Sequence, residues 1–250
     1  MKGIVLAAGK GRRIRDVALS RILPKPLFPV GGSCIIESPI TLLERSGIDD
    51  LIVVVNYKAD LIKEFLGDGR EWGVHIKYVY QPILNGIAGA IADCASEIDR
   101  DDFVVCLGDE ITMTPNIANM LALFETGKAK IVEGVVHEHT EHTIRETNEV
   151  LLSSDGQIFE IVEKPQKPRT LNRGIGIYVC ENSVLDVIHR ITPSKIRGEK
   201  EITDVVADLA TKGEAYGAWL EGYTININTN EDYQNAERAL FNRYMEVGRC

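Results

Sequence analysis

The stretch "KGIVLAAGKG", residues 2–11, carries Ile4, Val5 and Leu6 straight into Ala-Ala-Gly and then into a Gly-Lys-Gly turn. A short β-branched run of this kind reads as a strand buried on both faces, and the glycines after it expose successive backbone N–H groups with no side chain in the way. Working outward, "IIESPITLLERSG" (35–47) has helical spacing and closes at Gly47, and "DDLIVVVN" (49–56) is a second buried strand. "YKADLIKEFLGDG" (57–69) and "GIAGAIADCASEI" (86–98) read as helices, "VHIKYVYQ" (74–81) as a strand, and "DDFVVCLGDE" (101–110) as a hydrophobic strand with an acidic end. Such alternation predicts an α/β fold, Rossmann-like, with a mostly parallel mixed sheet, helices on both faces and ligands at the carboxyl ends of the strands.

From about residue 130 the texture changes. "KIVEGVVH" (130–137), "NEVLLSS" (148–154), the Asp155-Gly156 turn, "QIFEIVEKP" (157–165) and "RGIGIYVC" (173–180) read as strands of an antiparallel insertion. Helices return at "SVLDVIHRI" (183–191), "EITDVVADLATKG" (201–213) and "NEDYQNAERALFNRYMEV" (230–247). No Pro/Gly/Ser-rich linker or internal repeat divides the chain, so residues 1–250 are taken as a single domain.

The 250 residues carry a formal charge of −9, which opposes a general affinity for nucleic acid or an anionic membrane. No apolar run approaches the roughly 20 residues of a membrane span and residues 1–8 are too short for a secretory core, so the expectation is a cytoplasmic protein. The five cysteines lack CxxC spacing and read as free thiols; His137, His139 and His142 lack a third ligand of fixed geometry and read as a solvated loop, not a zinc tract.

Against this acidic background, residues 6–27, "LAAGKGRRIRDVALSRILPKPL", set Lys10, Arg12, Arg13, Arg15, Arg21 and Lys25 against one acid, Asp16. A glycine turn ringed by cations is suited to phosphate oxygens. It lacks the third glycine of the dinucleotide fingerprint and the Gly-Lys-Ser/Thr of a P-loop, which opposes a dinucleotide-dependent oxidoreductase.

At this point the sequence resembles the sugar-1-phosphate nucleotidylyltransferases. "LAAGKGRRIR…LPKPLFPVGG" is similar to their LAAGxGTRLxP…PKPLxPVxG, "QPILNGIAGAI" (81–91) to Q-P-x-x-x-GLAxAx, "CLGDE" (106–110) to LGDN and "IVEKP" (161–165) to EKP. "NRGIGIYV" (172–179) is similar to NxxxTGIY, "RGEKEITDVV" (197–206) to RGELEITDV of glucose-1-phosphate thymidylyltransferases, and "GYTININTNEDY" (222–233) to GYWWDIGTPEDY. The segments come in family order. The resemblance implies a nucleotidyltransferase A-type fold with a nucleotide-binding half (1–130), a sugar-binding part (131–228) and a C-terminal helix (229–250).

It also implies roles. Arg13, Lys25 and Asp109 match catalytic positions; Leu6, Ala8, Gly9, Gly11, Arg12, Gln81, Gly86 and Gly108 match the nucleotide site, with Gln81 reading the base and Gly86 leaving room for its ring. Glu163, Lys164, Asn172, Arg197 and Asn148 match the sugar-phosphate site, and Asp109 and Asn226 match the ligands of Mg²⁺, the implied cofactor. The implied partners are an NTP, dTTP or UTP in preference, and a sugar-1-phosphate, with no nucleic acid and no membrane; a homo-oligomer is compatible with the resemblance.

Some positions depart from the pattern. Arg12 replaces a small Thr or Ser, the loop from Arg13 to Lys25 is about two residues longer than usual on that alignment, and Asn148 falls on the glycine of YGVV. Asn226 stands at the second metal-binding aspartate, an oxygen donor without charge, while Asn228 and Asn230 replace Gly and Pro. These departures keep two alternatives open: a CTP- or GTP-dependent enzyme acting on an unusual sugar or cyclitol phosphate, and a catalytically weak regulatory subunit that binds nucleotide-sugar.

Overall fold

The computed structural model describes residues 1–11, 18–114, 116–193, 198–222, 224–227 and 229–247. β1 (Lys2–Leu6) leads through the short strands β2 (Pro29–Val30) and β3 (Ser33–Cys34) to α1 (Glu37–Arg45). Then come β4 (Asp50–Val55), α2 (Ala59–Leu66), β5 (His75–Tyr80), α3 (Ile87–Asp93), α4 (Ala95–Ile98), β6 (Phe103–Leu107), β7 (Glu110–Thr112) and α5 (Ala118–Glu125). The second half holds β8 (Ile131–His137), α6 (Glu141–Glu146), β9 (Asn148–Leu152), β10 (Ile158–Glu163), β11 (Asn172–Cys180), α7 (Val184–Arg190), α8 (Ile202–Ala210), β12 (Ala215–Trp219), β13 (Thr224–Asn226) and α9 (Asn230–Val247).

Seven strands form the central sheet in the order β12-β8-β11-β6-β1-β4-β5. β6, β1, β4 and β5 are mutually parallel, β12 is parallel to β8, and β11 runs antiparallel to both of its neighbours, β6 and β8. The mixed, mostly parallel sheet is therefore present. What read as an antiparallel insertion is divided: β8 and β11 extend the central sheet, and β9–β10 stands off as a two-stranded ribbon.

Successive residues of the inner strands go to opposite cores. Val5, Val53, Val55, Val104 and Cys106 meet α1, α2 and α5 on one face, while Ile4, Ile52, Val54, Phe103 and Val105 meet α3, α7, α8 and the ribbon on the other. This two-sided burial explains why these strands read as continuous apolar runs. Each fully buried Ile, Val or Phe contributes about 1.5–3 kcal/mol of transfer free energy. A third, smaller core of Phe28, Val30, Ile35, Ile111, Ile227 and Ala236 packs α9 against β2, β7 and the chain after β13.

Four features lay outside the sequence pattern. The helix expected over 86–98 is two helices broken at Cys94; β12 joins the sheet edge from a Gly-containing run; β7 pairs with β13, remote in sequence; and α6, with His142 in it, occupies part of the expected histidine loop. The described cysteines, Cys34, Cys94, Cys106 and Cys180, are free thiols. Among the described residues no helix is long and apolar enough to cross a membrane.

Candidate active site

A cavity of about 650 Å³ opens beyond the carboxyl ends of β1 and β6 and reaches across to the ribbon. Its near wall is backbone: Leu6, Ala7, Ala8, Gly9 and Gly11 line it as the chain leaves β1. The Ala7 N–H donates to Val54 O at 2.8 Å, holding the start of the turn to β4. Gly108 fixes the other side of that wall from behind. Its N–H donates to Leu6 O at 2.9 Å, and a Cβ there would sit 2.8 Å from the same oxygen, so only glycine lets the end of β6 lie this close to β1.

Lys25 and Asp109 meet across the mouth of the turn. Lys25 is only 6% exposed, and its Nζ lies 2.8 Å from Asp109 Oδ2, whose carboxylate is still open to the cavity. A buried lysine held to a half-exposed carboxylate is a poised pair. An arriving phosphate can take the ammonium while a cation takes the carboxylate, so both charges stay compensated.

Gln81 is buried at the carboxyl end of β5 and lines the cavity; its Nε2 donates to Asn85 Oδ1 at 3.1 Å and its amide lies against Asp93, opposing the burial that pushes that carboxyl upward. Gly86 also lines the cavity with φ +98°, and its lack of a side chain serves a neighbour within the protein as well. A Cβ there would sit 2.3 Å from Lys200 O, so the glycine admits the Lys200 backbone rather than leaving room for a ring alone.

The far side is built from side chains. Asn148 is buried, lines the cavity, and accepts a hydrogen bond from Gly174 N–H at 2.8 Å, tying β9 to β11. Glu163 stands opposite Asn148 in the ribbon register, and Lys164 follows with φ +48°, a left-handed conformation for a non-glycine residue, its N–H donating to Thr147 O at 2.7 Å. Behind Gly174 lies Glu133, completely buried, with the Tyr178 hydroxyl as its polar neighbour. Burial pushes its carboxyl up to about 8; the neighbouring Tyr178 hydroxyl opposes the rise and the Glu163 charge adds to it. Tyr178, which lines the cavity, is pushed well above the usual phenol range by burial and then by the Glu133 charge.

Glu110, Arg173 and Asn226 complete the floor between the two sides. Arg173 is buried, donates from Nε to Glu138 Oε1 at 2.6 Å and from Nη2 to Thr224 Oγ1, and has Nη1 3.6 Å from Glu110 Oε1. Asn226 Oδ1 is buried and accepts no hydrogen bond. Together with the open Asp109 carboxylate it offers oxygen donors of the kind Mg²⁺ takes, so the residues fit that ion. No cluster of three or more His, Cys, Asp or Glu that could hold a metal ion occurs among the described residues.

The structure thus brings Leu6, Ala8, Gly9, Gly11, Lys25, Gln81, Gly86, Asp109, Asn148, Glu163, Lys164 and Asn226 around one cavity. Arg12, Arg13 and Arg197 lie outside the described residues. Asn172 does not join the cavity lining: its Oδ1 is 3.2 Å from His137 Nδ1 in the β11–β8 pair. The β11 register shifts between Gly174 and Tyr178, so the facing of the later residues does not carry back to Asn172. Sequence reading missed Glu110, Arg173, Gly174, Gly176 and Tyr178, although the last four belong to the same "NRGIGIYV" segment.

An α/β sheet that presents a glycine turn, a buried lysine and acidic groups at its strand ends has the makings of a phosphate-handling site. The chain belongs to the nucleotidyl transferase family, whose pattern matches residues 2–240. It is 32% identical over 243 residues to the low-salt glycan biosynthesis nucleotidyltransferase Agl11 of Haloferax volcanii, covering 96% of this chain and 66% of that protein, just under two thirds of its length. It is 31% identical over 245 residues to the UTP–glucose-1-phosphate uridylyltransferase AglF of the same organism, covering 96% of each. A crystal structure from Bacillus anthracis, assigned as a glucose-1-phosphate thymidylyltransferase and solved with a sucrose, superposes with a TM-score of 0.86 at 28% identity over 96% of this chain and 95% of that one.

Proposed function

We propose that the chain transfers a nucleotidyl group from dTTP or UTP to a sugar-1-phosphate, giving the nucleotide-sugar and pyrophosphate. The observation that carries this reading is the Lys25–Asp109 pair at 2.8 Å, set beside the Gly9–Gly11 turn in one cavity with the ribbon residues. The attacking oxygen belongs to a phosphate that is already anionic, so the reaction calls for alignment and charge compensation more than for a strong base.

In this reading the backbone N–H groups of the turn and the Lys25 ammonium hold the triphosphate, with Arg13 and Arg12 assigned to the same anion by the family resemblance. Gln81 orients the base from the buried end of β5. Lys164 and Arg197 hold the sugar phosphate, while Glu163 and Asn148 contact the sugar. Asn172 is assigned to the sugar by resemblance alone, since its side chain is engaged with His137. Asp109 and Asn226 would hold Mg²⁺, which would supply positive charge to the phosphate oxygens and the departing pyrophosphate.

Relatives named for thymidylyl and uridylyl transfer support dTTP or UTP over CTP or GTP. The paired Lys25 and Asp109 support turnover over a purely regulatory binding role. The test is pyrophosphate release with each of the four NTPs, Mg²⁺ and a panel of sugar-1-phosphates. We expect release with dTTP or UTP and a hexose-1-phosphate; silence with every pair, at protein concentrations that bind nucleotide-sugar, would overturn the reading.

A further inference from the structure

Two buried oxygens that accept no hydrogen bond, Glu110 Oε1 and Asn226 Oδ1, stand on facing positions of one strand pair. Glu110 and Asn226 are direct partners in the antiparallel β7–β13 register. Opposed residues of such a pair share a face, with Cβ atoms about 4.5–5.5 Å apart. Both side chains line the cavity, and Asp109 precedes Glu110 in the chain.

The charges around Glu110 do not balance. Arg173 lies 2.6 Å from Glu138 but 3.6 Å from Glu110, so one guanidinium serves two carboxylates and its closer contact goes to the other one. Glu110 Oε2 accepts the Gly176 N–H at 3.2 Å, and Gly176 is open enough for this only because a Cβ there would sit 2.7 Å from that oxygen. Asp109, for its part, is already paired with Lys25. Among the described residues two carboxylates thus share one guanidinium, and the one farther from it, Glu110, is 3% exposed, a costly arrangement without a further cation.

We propose that Glu110 is a ligand of the divalent cation and supplies the carboxylate that position 226 lacks, with Asn226 as its neutral partner across the strand pair. The proposal rests on the cation-dependent reading of the cavity and adds a ligand that the family pattern does not assign. In the motifs quoted above, LGDN has asparagine where this chain has Glu110, and the second metal position has aspartate where this chain has Asn226. The strand pair keeps one carboxylate and one carboxamide and exchanges their places. Oε1, which accepts no hydrogen bond and has Arg173 Nη1 no nearer than 3.6 Å, is the atom assigned to the cation, while Oε2 stays on Gly176.

The test uses Mn²⁺ as the probe, with its free signal followed by electron paramagnetic resonance in the presence of a non-hydrolysable dTTP analogue. Glu110→Gln should weaken Mn²⁺ binding at least tenfold without weakening metal-free affinity for the analogue, since it removes a negative charge from an anion site. The exchanged double variant, Glu110→Gln with Asn226→Asp, should return Mn²⁺ affinity to within about threefold of the parent chain. Asn226→Asp alone, which adds a carboxylate and keeps Glu110, should tighten binding and reports even if Glu110→Gln does not fold. Parent-like Mn²⁺ affinity in folded Glu110→Gln, or a double variant that folds but stays weak, or no tightening in Asn226→Asp, would overturn the proposal. Failure of the parent chain itself to bind Mn²⁺ with nucleotide present would instead overturn the cation-dependent reading beneath it.

Discussion

The two sides of the cavity meet their ligands with different atoms. On the side of β1 and β6 the wall is largely backbone, held by Ala7 N–H on Val54 O and Gly108 N–H on Leu6 O, with Lys25 and Asp109 added at its mouth. On the side of β8, β9 and β11 it is made of polar side chains, several of them buried: Asn148, Arg173 and Tyr178, with Glu133 behind them. A backbone wall is sensitive to any added Cβ and indifferent to pH. A side-chain wall tolerates changes of shape better but depends on protonation and on charge pairing.

Replacing Lys25 by Ala or Asp109 by Asn strikes the point where the two walls converge. We expect each to lower the rate of pyrophosphate release by on the order of 10² to 10³, with Arg13→Ala similar. A parent-like rate in either would break the assignment of the chemistry to this corner.

Gly86→Ala tests the backbone side next. With φ +98° and Lys200 O 2.3 Å from the new Cβ, it should destabilise the fold by roughly 2–4 kcal/mol in urea unfolding, and Gly108→Ala by somewhat less. Unchanged midpoints would mean that the wall yields to a side chain, erasing the contrast.

Glu133 sharpens the other half. Its folded value of about 8 lies above the ordinary 4.5, so between those values the folded chain keeps a proton that the unfolded chain has released. Stability from this group therefore falls as pH rises from about 4.5 to 8 and levels off above that. Glu133→Gln should remove that slope, gaining on the order of a few kcal/mol relative to the parent at pH 8.5 and little at pH 4.5. Melting temperatures measured across this range check it, and a slope equal to the parent's would place the titration elsewhere.

The smallest expected effect belongs to the exposed edge of the side-chain wall. Glu163→Gln should raise KM for the sugar phosphate about tenfold with little change in KM for the nucleotide. Equal changes in both would remove Glu163 from the acceptor side.

The same contrast explains what the sequence disclosed. Val53, Val55, Val104 and Ile4 sit in strands buried on both faces, so period and composition revealed them, and Gly9 and Gly11 announced a turn. Asp109 was legible because it ends a core strand, and Lys25 because it belongs to the cationic segment 6–27 and matches the lysine of the family's PKPL motif. Glu110, Arg173 and Glu133 gave no such signal, because a buried ionisable group is defined by surroundings distant in the chain. β7 and β13 are three residues each and exist through one another, so neither shows a period of its own. Asn172 was named through the resemblance alone; its side chain lies against His137 and it does not join the cavity lining.

α9 stands behind this corner of the molecule. Tyr233 donates from its hydroxyl to Pro29 O at 2.6 Å, Glu237 accepts from Gly31 N–H at 2.9 Å, and Ala236 packs with Phe28, Ile111 and Ile227. Those three apolar residues lie in the segment that follows Lys25, immediately after Glu110, and immediately after Asn226. A single helix thus packs behind the residues that follow Lys25, Glu110 and Asn226, and amide exchange along it would slow when the cavity fills, making the last helix a remote gauge of occupancy.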